Sequence, residues 1–211
     1  MAQAAIPQTA PAGTPHAGGP PPGAPSIPDF EIVPRKGLPF VAVAIVVLVV
    51  GIALNELWGL LFLHVAAGAA WTIIDLFMGF VIGPILGKMS IPARIELTTR
   101  LMPKMVLIMP TVVGITLAAG WQVATKLETN LTSNPAHGWI VASYFIVAIM
   151  AVVALGLLEP ANIAVLSELK KKQPNPANIE KLMKRFIYTS GITGLMQIAT
   201  LIVMTKIASF P

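Results

Sequence analysis

The sequence predicts an all-α membrane protein: a polytopic transmembrane helical bundle of five spans, with the N-terminus inside and the C-terminus outside. Of the 211 residues, 55% are hydrophobic and only 11% are charged, whereas a soluble domain carries about a quarter charged residues. Four long apolar stretches follow a proline-rich start. The positions of lysine and arginine decide how many spans these stretches contain.

The basic residues collect on one side of the membrane only if the first apolar stretch contains two helices. This stretch, residues 38–87, has no Lys or Arg, and Asn55-Glu56 divides it. With that division, twelve basic residues lie on one side and two, Lys126 and Lys206, on the other. Such a bias marks the cytoplasmic side and gives five spans. The twelve are Arg35, Lys36, Lys88, Arg94, Arg100, Lys104, Lys170, Lys171, Lys172, Lys181, Lys184 and Arg185.

Residues 1–37 are predicted to form a disordered cytoplasmic tail. They are rich in Ala, Pro and Gly and contain no Asp, Glu, Lys or Arg before Asp29, so they cannot bury enough apolar surface to fold. The first span, about residues 38–54, is near the lower limit of about 17 residues for a crossing. Its VAVAIVVLVV run offers no polar side chain to a ligand, which favours a lipid anchor.

The second span, about residues 57–86, is longer than a perpendicular crossing needs. It should therefore tilt, or break near Gly79, Gly83 and Pro84. Pro84 has a counterpart, Pro160, at the inner end of the fourth span. The two prolines indicate a duplicated helical hairpin, although two unrelated hairpins explain them equally well.

The last three spans contain prolines at informative positions. They cover about residues 102–125, 138–158 and 186–207. The third contains Pro110, where a kink is expected because proline removes a backbone donor. The fourth should end at Glu159-Pro160, since the α-helical conformation is disfavoured for a residue that precedes proline.

Tryptophan placement agrees with this topology. Trp58, Trp121 and Trp139 fall at the outer ends of three spans, where an interfacial aromatic belt is expected. The sequence therefore predicts a multi-pass protein of the cell membrane whose first partner is the lipid bilayer. Other membrane subunits or a second copy of the chain are further candidate partners.

Composition excludes several functions. There is no cysteine, which excludes disulfides, thiolate metal sites and cysteine nucleophiles. The net charge of +5 comes mostly from residues that flank helices, so no nucleic acid partner is predicted. The chain also lacks a Gly-rich phosphate loop, an HExxH zinc motif and a nucleophile elbow.

One face of the second span carries most of the candidate site residues. His64 is the only histidine within a predicted span, and Asp75 follows eleven residues later, which returns to nearly the same face. Trp71 lies between them on that face. An ionisable residue inside a span costs several kcal/mol unless it is paired, so Asp75 is a candidate for function. Alternatively, Asp75 fastens this helix to its neighbours.

The fifth span offers a matching polar stripe. Ser190, Thr193, Gln197 and Thr200 recur at helical spacing, and Gln197 is the partner for Asp75 that its depth suggests. Stripes of this kind more often pack helices together than line a transport path.

His64 has three interpretations: it ligates haem iron, it ligates copper, or it hydrogen-bonds across helices. A bis-histidine haem b is disfavoured because His137 differs from His64 by about 10 Å in depth. A single-histidine haem, or a site shared between subunits, remains open. For copper, soft thioether ligands are available in the third span, but they begin at the opposite end of the membrane from His64. These thioethers belong to Met102, Met105 and Met109.

Part of the chain is similar to a known group of small membrane proteins. Residues 60–71 (LLFLHVAAGAAW), Gly83-Pro84 and the segment from Arg100 to Trp121 resemble CopD-type copper-resistance proteins and related predicted integral membrane families. HemJ-type protoporphyrinogen oxidases share the general layout. The resemblance covers about residues 57–125 and implies that His64 is a haem or copper ligand. Asp75 departs from the small or apolar residues usual there, and the intramembrane lysine of the HemJ pattern is absent.

Three functions follow from these patterns. The first is haem or copper binding through His64, assisted by Trp71, for membrane redox chemistry or copper handling. The second is a proton-coupled transporter that uses Asp75, with Gln197 and Thr193 as polar neighbours. The third is a noncatalytic accessory subunit of a membrane complex, in which His64 and Asp75 only fasten helices. Whether the chain is an enzyme does not follow from the sequence.

Overall fold

A computed structural model describes residues 27–129 and 131–210 of the chain, and the regular structure within these ranges is helical. It contains five helices long and apolar enough to cross a membrane. The predicted all-α class and five apolar helices are thus confirmed. The helices are α1 (Arg35–Leu54), α2 (Leu57–Lys88), α3 (Ile91–Lys126), α4 (His137–Leu169) and α5 (Pro176–Ala208).

Three helices extend well beyond the apolar segments that the sequence marks as spans. α3 begins at Ile91 rather than near residue 102, and α4 runs on to Leu169. α5 begins at Pro176, where the Asn175 side chain caps it by accepting from two backbone N–H groups. The added turns carry i,i+4 ion pairs, Arg100 with Glu96 and Lys184 with Glu180, which support helix where the chain leaves the apolar region.

The helices α2 to α5 form the bundle, and α1 lies outside it. α2 packs mainly against α3, and α5 packs against both α2 and α4. α1 contacts chiefly α3, and its apolar window buries 0% of its residues. The uniformly apolar α1 therefore leaves most of its surface uncovered by the rest of the chain, as expected of a lipid anchor.

The described part of the predicted tail packs against the bundle. Ile27, Phe30 and Ile32 lie on the core cluster at one end of the bundle, and the Lys170 ammonium group sits 5.4 Å from the Phe30 ring centroid. Residues 1–26 lie outside the described residues. The predicted tail boundary at residue 37 therefore falls within packed structure, because the PDFEI segment supplies apolar side chains that the preceding Ala/Pro/Gly run lacks.

This packing places three segments at one end of the molecule. The cluster that receives Phe30 also includes Met89, from the α2–α3 turn, and Leu169, beside the α4–α5 turn. The N-terminal segment and both turns thus share an end, which we call the basic end because it carries the twelve basic residues.

Two helices change their winding where proline interrupts the backbone ladder. α2 contains a π-helical segment at Phe77–Ile82, and α4 contains one at Ala154–Leu158. In each helix one residue separates the π segment from a proline: Gly83 before Pro84 in α2, and Glu159 before Pro160 in α4. Proline has no N–H and its ring crowds the carbonyl four residues back, and a wider turn relieves that crowding without ending the helix.

The expected end of the fourth helix at Glu159-Pro160 is therefore wrong, and α2 widens rather than breaks. The Glu159 N–H donates to the Ala154 carbonyl, five residues back, and α4 continues for eleven residues from Glu159 to Leu169. The two hairpins, α2–α3 and α4–α5, share this π turn before proline, and the duplication of one hairpin stays a prediction. As a consequence Glu159 lies inside the bundle instead of in a loop.

Candidate functional site

A cluster of buried polar side chains lies where α2 crosses α5. Asp75 and Trp71 of α2 are each 1% exposed, and Thr193 and Gln197 of α5 are 0% and 3% exposed. In both helices the two residues are four apart, which stacks them one turn above the other on the same face. The sequence-predicted partners Asp75, Trp71, Thr193 and Gln197 therefore come together.

Glycine permits the close approach of α2 and α5 at this crossing. A Cβ atom on Gly79 would lie 2.7 Å from the Gly191 Cα and 2.9 Å from its nitrogen. A Cβ atom on Gly194 would lie 3.1 Å from Leu76 Cδ2 and 3.4 Å from the Leu76 nitrogen, a looser contact. The Ser190 hydroxyl donates to the Asp75 carbonyl oxygen over 3.2 Å. Backbone contact of this kind holds the two helices in a fixed register.

The carboxyl group of Asp75 is surrounded by groups that could donate to it. The side chains of Thr193, Trp71 and Gln197 lie beside it, but Asp75 Oδ2 reaches no hydrogen-bond geometry with any described residue. Trp71 Nε1 and Gln197 Nε2 likewise lack an acceptor among the described residues. The Gln197 carbonyl oxygen is held by the Thr72 hydroxyl at 3.1 Å. Two free donors thus adjoin one free acceptor in a site that excludes solvent.

A small cavity adjoins Asp75 on the side of the basic end. Its volume is ≈ 10 Å³, about the room that one water molecule needs. Glu159 and Asn162 of α4 also line it, together with thioether, aliphatic and aromatic side chains. The full lining is Ile74, Asp75, Met78, Met105, Met109, Leu158, Glu159, Asn162, Phe186 and Ser190.

Glu159 and Asn162 are site residues that the sequence reasoning missed. Glu159 is 8% exposed and Asn162 is 0% exposed. Both Glu159 carboxyl oxygens and Asn162 Oδ1 have no hydrogen-bond partner within the described residues. Asn162 Nδ2 donates to the Met102 carbonyl over 3.3 Å, which assigns the other amide atom, Oδ1, as the free acceptor. The signal in the sequence was an acid next to an apolar run, followed three residues later by an amide.

His64 is fastened to α3 and lies apart from the Asp75 cluster. Its Nδ1 is 2.9 Å from the Thr116 carbonyl oxygen, and because a carbonyl only accepts, Nδ1 carries the proton. The ring lies against Gly120, where a Cβ atom would come within 2.6 Å of it. Eleven residues separate His64 from Asp75, or about 16 Å along the helix. Trp71 accordingly faces Asp75 and not His64.

The predicted metal ligands do not assemble around His64. No group of three or more His, Asp or Glu residues converges in the part of the chain that the structure describes. Met105 and Met109 line the Asp75 cavity, and Met102 belongs to the core at the basic end. The methionine stripe therefore does not supply a copper site with His64. A haem held by this single histidine, or a site shared between subunits, stays a prediction.

Replacing Gly120 with alanine tests how tightly His64 is fastened. The added methyl group should displace the imidazole ring and lengthen its hydrogen bond to Thr116, lowering the free energy of unfolding by about 1–2 kcal/mol. Chemical denaturation in detergent measures this. The matched control is Gly114→Ala, because nothing lies within 4 Å of a Cβ there. Equal stability of both variants would show that the ring has room to move.

The cluster can do two things chemically. A carboxyl between free donors and a water-sized cavity can exchange a proton, and the oxygen atoms around the cavity can receive a small cation. Comparison with protein-family profiles, with curated proteins and with solved structures gave no match for the chain.

Proposed function

We propose that this chain is a proton-coupled transporter of the cell membrane in which Asp75 takes up and releases the proton. One observation carries the proposal: an almost fully buried carboxyl group in a membrane-spanning helix, beside a water-sized cavity and two free donors. The proposed orientation places the basic end inside, in keeping with its twelve basic residues.

The donors around Asp75 make both of its protonation states accessible. An ionised carboxylate in a bundle that excludes water costs several kcal/mol unless it is paired. Trp71 Nε1 and Gln197 Nε2 have no other acceptor in the described chain, so they can turn toward the carboxylate and reduce that cost. The protonated form is neutral and needs no such help. A carrier requires two states of similar free energy.

A purely structural role explains Asp75 less well. A polar side chain that only fastens helices normally has its hydrogen bonds satisfied, whereas Asp75 Oδ2 has no partner among the described residues. The fastening of α2 to α5 is already provided by the Ser190 hydroxyl and by the Gly79–Gly191 contact. The carboxyl group is therefore free to change its protonation without loosening that crossing.

The depth of Asp75 suggests the side from which protons arrive. Thirteen residues separate Asp75 from Lys88, about 20 Å along α2. The cavity lies on the same side of Asp75, since Met78, Glu159 and Phe186 line it. Proton exchange should thus open first toward the basic end.

Proteoliposomes that contain the pH dye pyranine test this function. The membrane potential is clamped, and outside gradients of divalent cations, monovalent cations, amino acids or sugars are imposed in turn. At least one gradient should drive protons through the wild type, and Asp75→Asn should slow this flux by about 100-fold or more, as expected on loss of a proton-transfer group.

The matched control is Glu56→Gln, which removes an exposed carboxyl group at the α1–α2 turn and should leave the flux unchanged. Proton movement with none of the solute classes, or equal flux through Asp75→Asn and wild type, would contradict the proposed function. Because asparagine is isosteric with aspartate, loss of flux without loss of folded protein isolates the proton itself.

A further inference from the structure

We infer that the cavity beside Asp75 binds a divalent transition-metal cation, with Asp75, Glu159 and Asn162 as oxygen ligands. The inference rests on the proposed function, since it identifies the solute that is exchanged for protons. The three residues come from two helices, α2 and α4, and α3 closes the cavity with the thioether side chains of Met105 and Met109.

The free oxygen atoms are the first argument. Asp75 Oδ2, both carboxyl oxygens of Glu159 and Asn162 Oδ1 are buried without a hydrogen-bond partner in the described ranges. Each side chain is more than nine-tenths buried, and each lines the same cavity. Buried oxygen atoms without donors are costly, and a bound cation satisfies several of them at once. A protonated Glu159 carboxyl group can donate to Asn162 Oδ1 when the cation is absent, and the cation takes its place when it binds.

The size of the cavity is the second argument. A volume of ≈ 10 Å³ accepts one ion or one water molecule and no organic solute. It also leaves no room for the several water molecules that Mg²⁺ usually retains. The site therefore suits an ion that gives up its hydration shell to protein ligands.

Charge balance is the third argument. Two carboxylates and one divalent cation sum to zero, and so do the same two groups when each carries a proton. A monovalent ion would balance one carboxylate and leave the other carboxyl group protonated, so only a divalent ion engages both carboxylates and releases both protons. When the cation binds, the Asp75 and Glu159 O–H bonds break and two protons leave, and the oxygen atoms coordinate the metal. When the cation leaves, both oxygens take up protons again.

The chemistry of the ligands selects among divalent cations. Carboxylate and amide oxygens suit Mg²⁺, Ca²⁺ and Mn²⁺, while thioethers favour softer ions. Met105 and Met109 adjoin the oxygen atoms, so an ion of intermediate softness gains from both kinds of ligand. Mn²⁺ and its neighbours in the first transition row, rather than Mg²⁺ or Ca²⁺, fit this mixed lining.

Mn²⁺ binding and transport test the inference. Purified wild-type protein in detergent should bind about one Mn²⁺ per chain by electron paramagnetic resonance, and excess Mg²⁺ should not displace it. In pyranine-loaded proteoliposomes, an inward Mn²⁺ gradient should expel about two protons per ion, as charge balance requires. Glu159→Gln should weaken Mn²⁺ binding about 10-fold or more, and Glu56→Gln should leave it unchanged.

Met105→Leu should change the preference between Cd²⁺ and Mn²⁺, an effect that a folding defect would not produce. This swap nearly conserves volume and should leave the protein folded. It should weaken binding of the soft probe Cd²⁺ by about 10-fold while changing Mn²⁺ binding little, because only the thioether is lost.

Equal Mn²⁺ binding by wild type and Glu159→Gln, or displacement by equimolar Mg²⁺, would overturn the metal site. If another solute class moves protons through Asp75 while Mn²⁺ does not, only this inference fails and the proposed function stands.

Discussion

Gly79→Ala is expected to lower the free energy of unfolding by about 3 kcal/mol or more and to separate α2 from α5. The methyl group would lie 2.7 Å from the Gly191 Cα and 3.3 Å from the Ser190 carbonyl carbon. Both are backbone atoms, so no side-chain rotation relieves the contact. The helices must move apart, and the Asp75 cluster between them loses its packing.

Two matched substitutions separate this backbone contact from the general effect of adding a methyl group. Gly191→Ala changes the other side of the same crossing, but its Cβ atom would meet nothing within 4 Å. It should leave stability within about 1 kcal/mol of wild type. Gly83→Ala meets the Cγ2 methyl group of Ile187 at 2.6 Å; this is a side-chain atom rather than backbone, so the variant should fall between the two. Chemical denaturation in detergent ranks the three variants, and a Gly79→Ala protein as stable as Gly191→Ala would disprove the close crossing.

The sequence predicts the five apolar helices and the α2–α5 side of the candidate site, where Asp75 meets Gln197. Lysine and arginine counts separate α1 from α2 because the cost of moving a charge into lipid applies whatever the tertiary structure is. The pairing of Asp75 with Gln197 followed from depth alone, since helix rise is constant. Such features depend on a single helix, or on the depth of a residue along the helix axis, and not on how helices pack side by side.

The α4 side of the candidate site, Glu159 and Asn162, depends on a backbone feature that the sequence pattern does not reveal. Proline after Glu159 predicts the end of a helix, and the apolar run ends at Leu158. The π turn at Ala154–Leu158 keeps the chain helical through Pro160, so Glu159 and Asn162 remain within the bundle. Proline permits either outcome, and packing against α3 and α5 decides between them.

The methionine stripe of α3 (Met102, Met105 and Met109) is a second case in which the sequence does not predict the neighbour. Its spacing correctly marks one face of α3, but spacing does not say which neighbour that face meets. α3 runs antiparallel to α2, so Met105 and Met109 lie level with Asp75, while Thr116 lies level with His64. The soft ligands therefore adjoin the carboxylates and not the histidine, which redirects the metal hypothesis to a different site.

Glu159→Met is expected to stabilise the protein while abolishing cation-coupled proton flux. Glu159 is 8% exposed, and neither of its buried carboxyl oxygens has a partner within the described residues. An unsatisfied buried polar group costs about 1–3 kcal/mol, so replacing it by an apolar side chain of similar volume should stabilise the protein by about that much. Methionine fits because the cavity wall already contains thioether and aliphatic groups.

The sign of this stability change separates a functional acid from a structural one. A side chain that fastens helices, as in an accessory subunit, loses favourable contacts when it is replaced, and the free energy of unfolding falls. An acid retained for transport is a stability cost that its function requires, and its removal raises that free energy. Denaturation of Glu159→Met in detergent, together with its proton flux in proteoliposomes, gives both readouts from one variant. Lower stability with unchanged flux would assign Glu159 to structure, whereas higher stability with lost flux assigns it to the transport site.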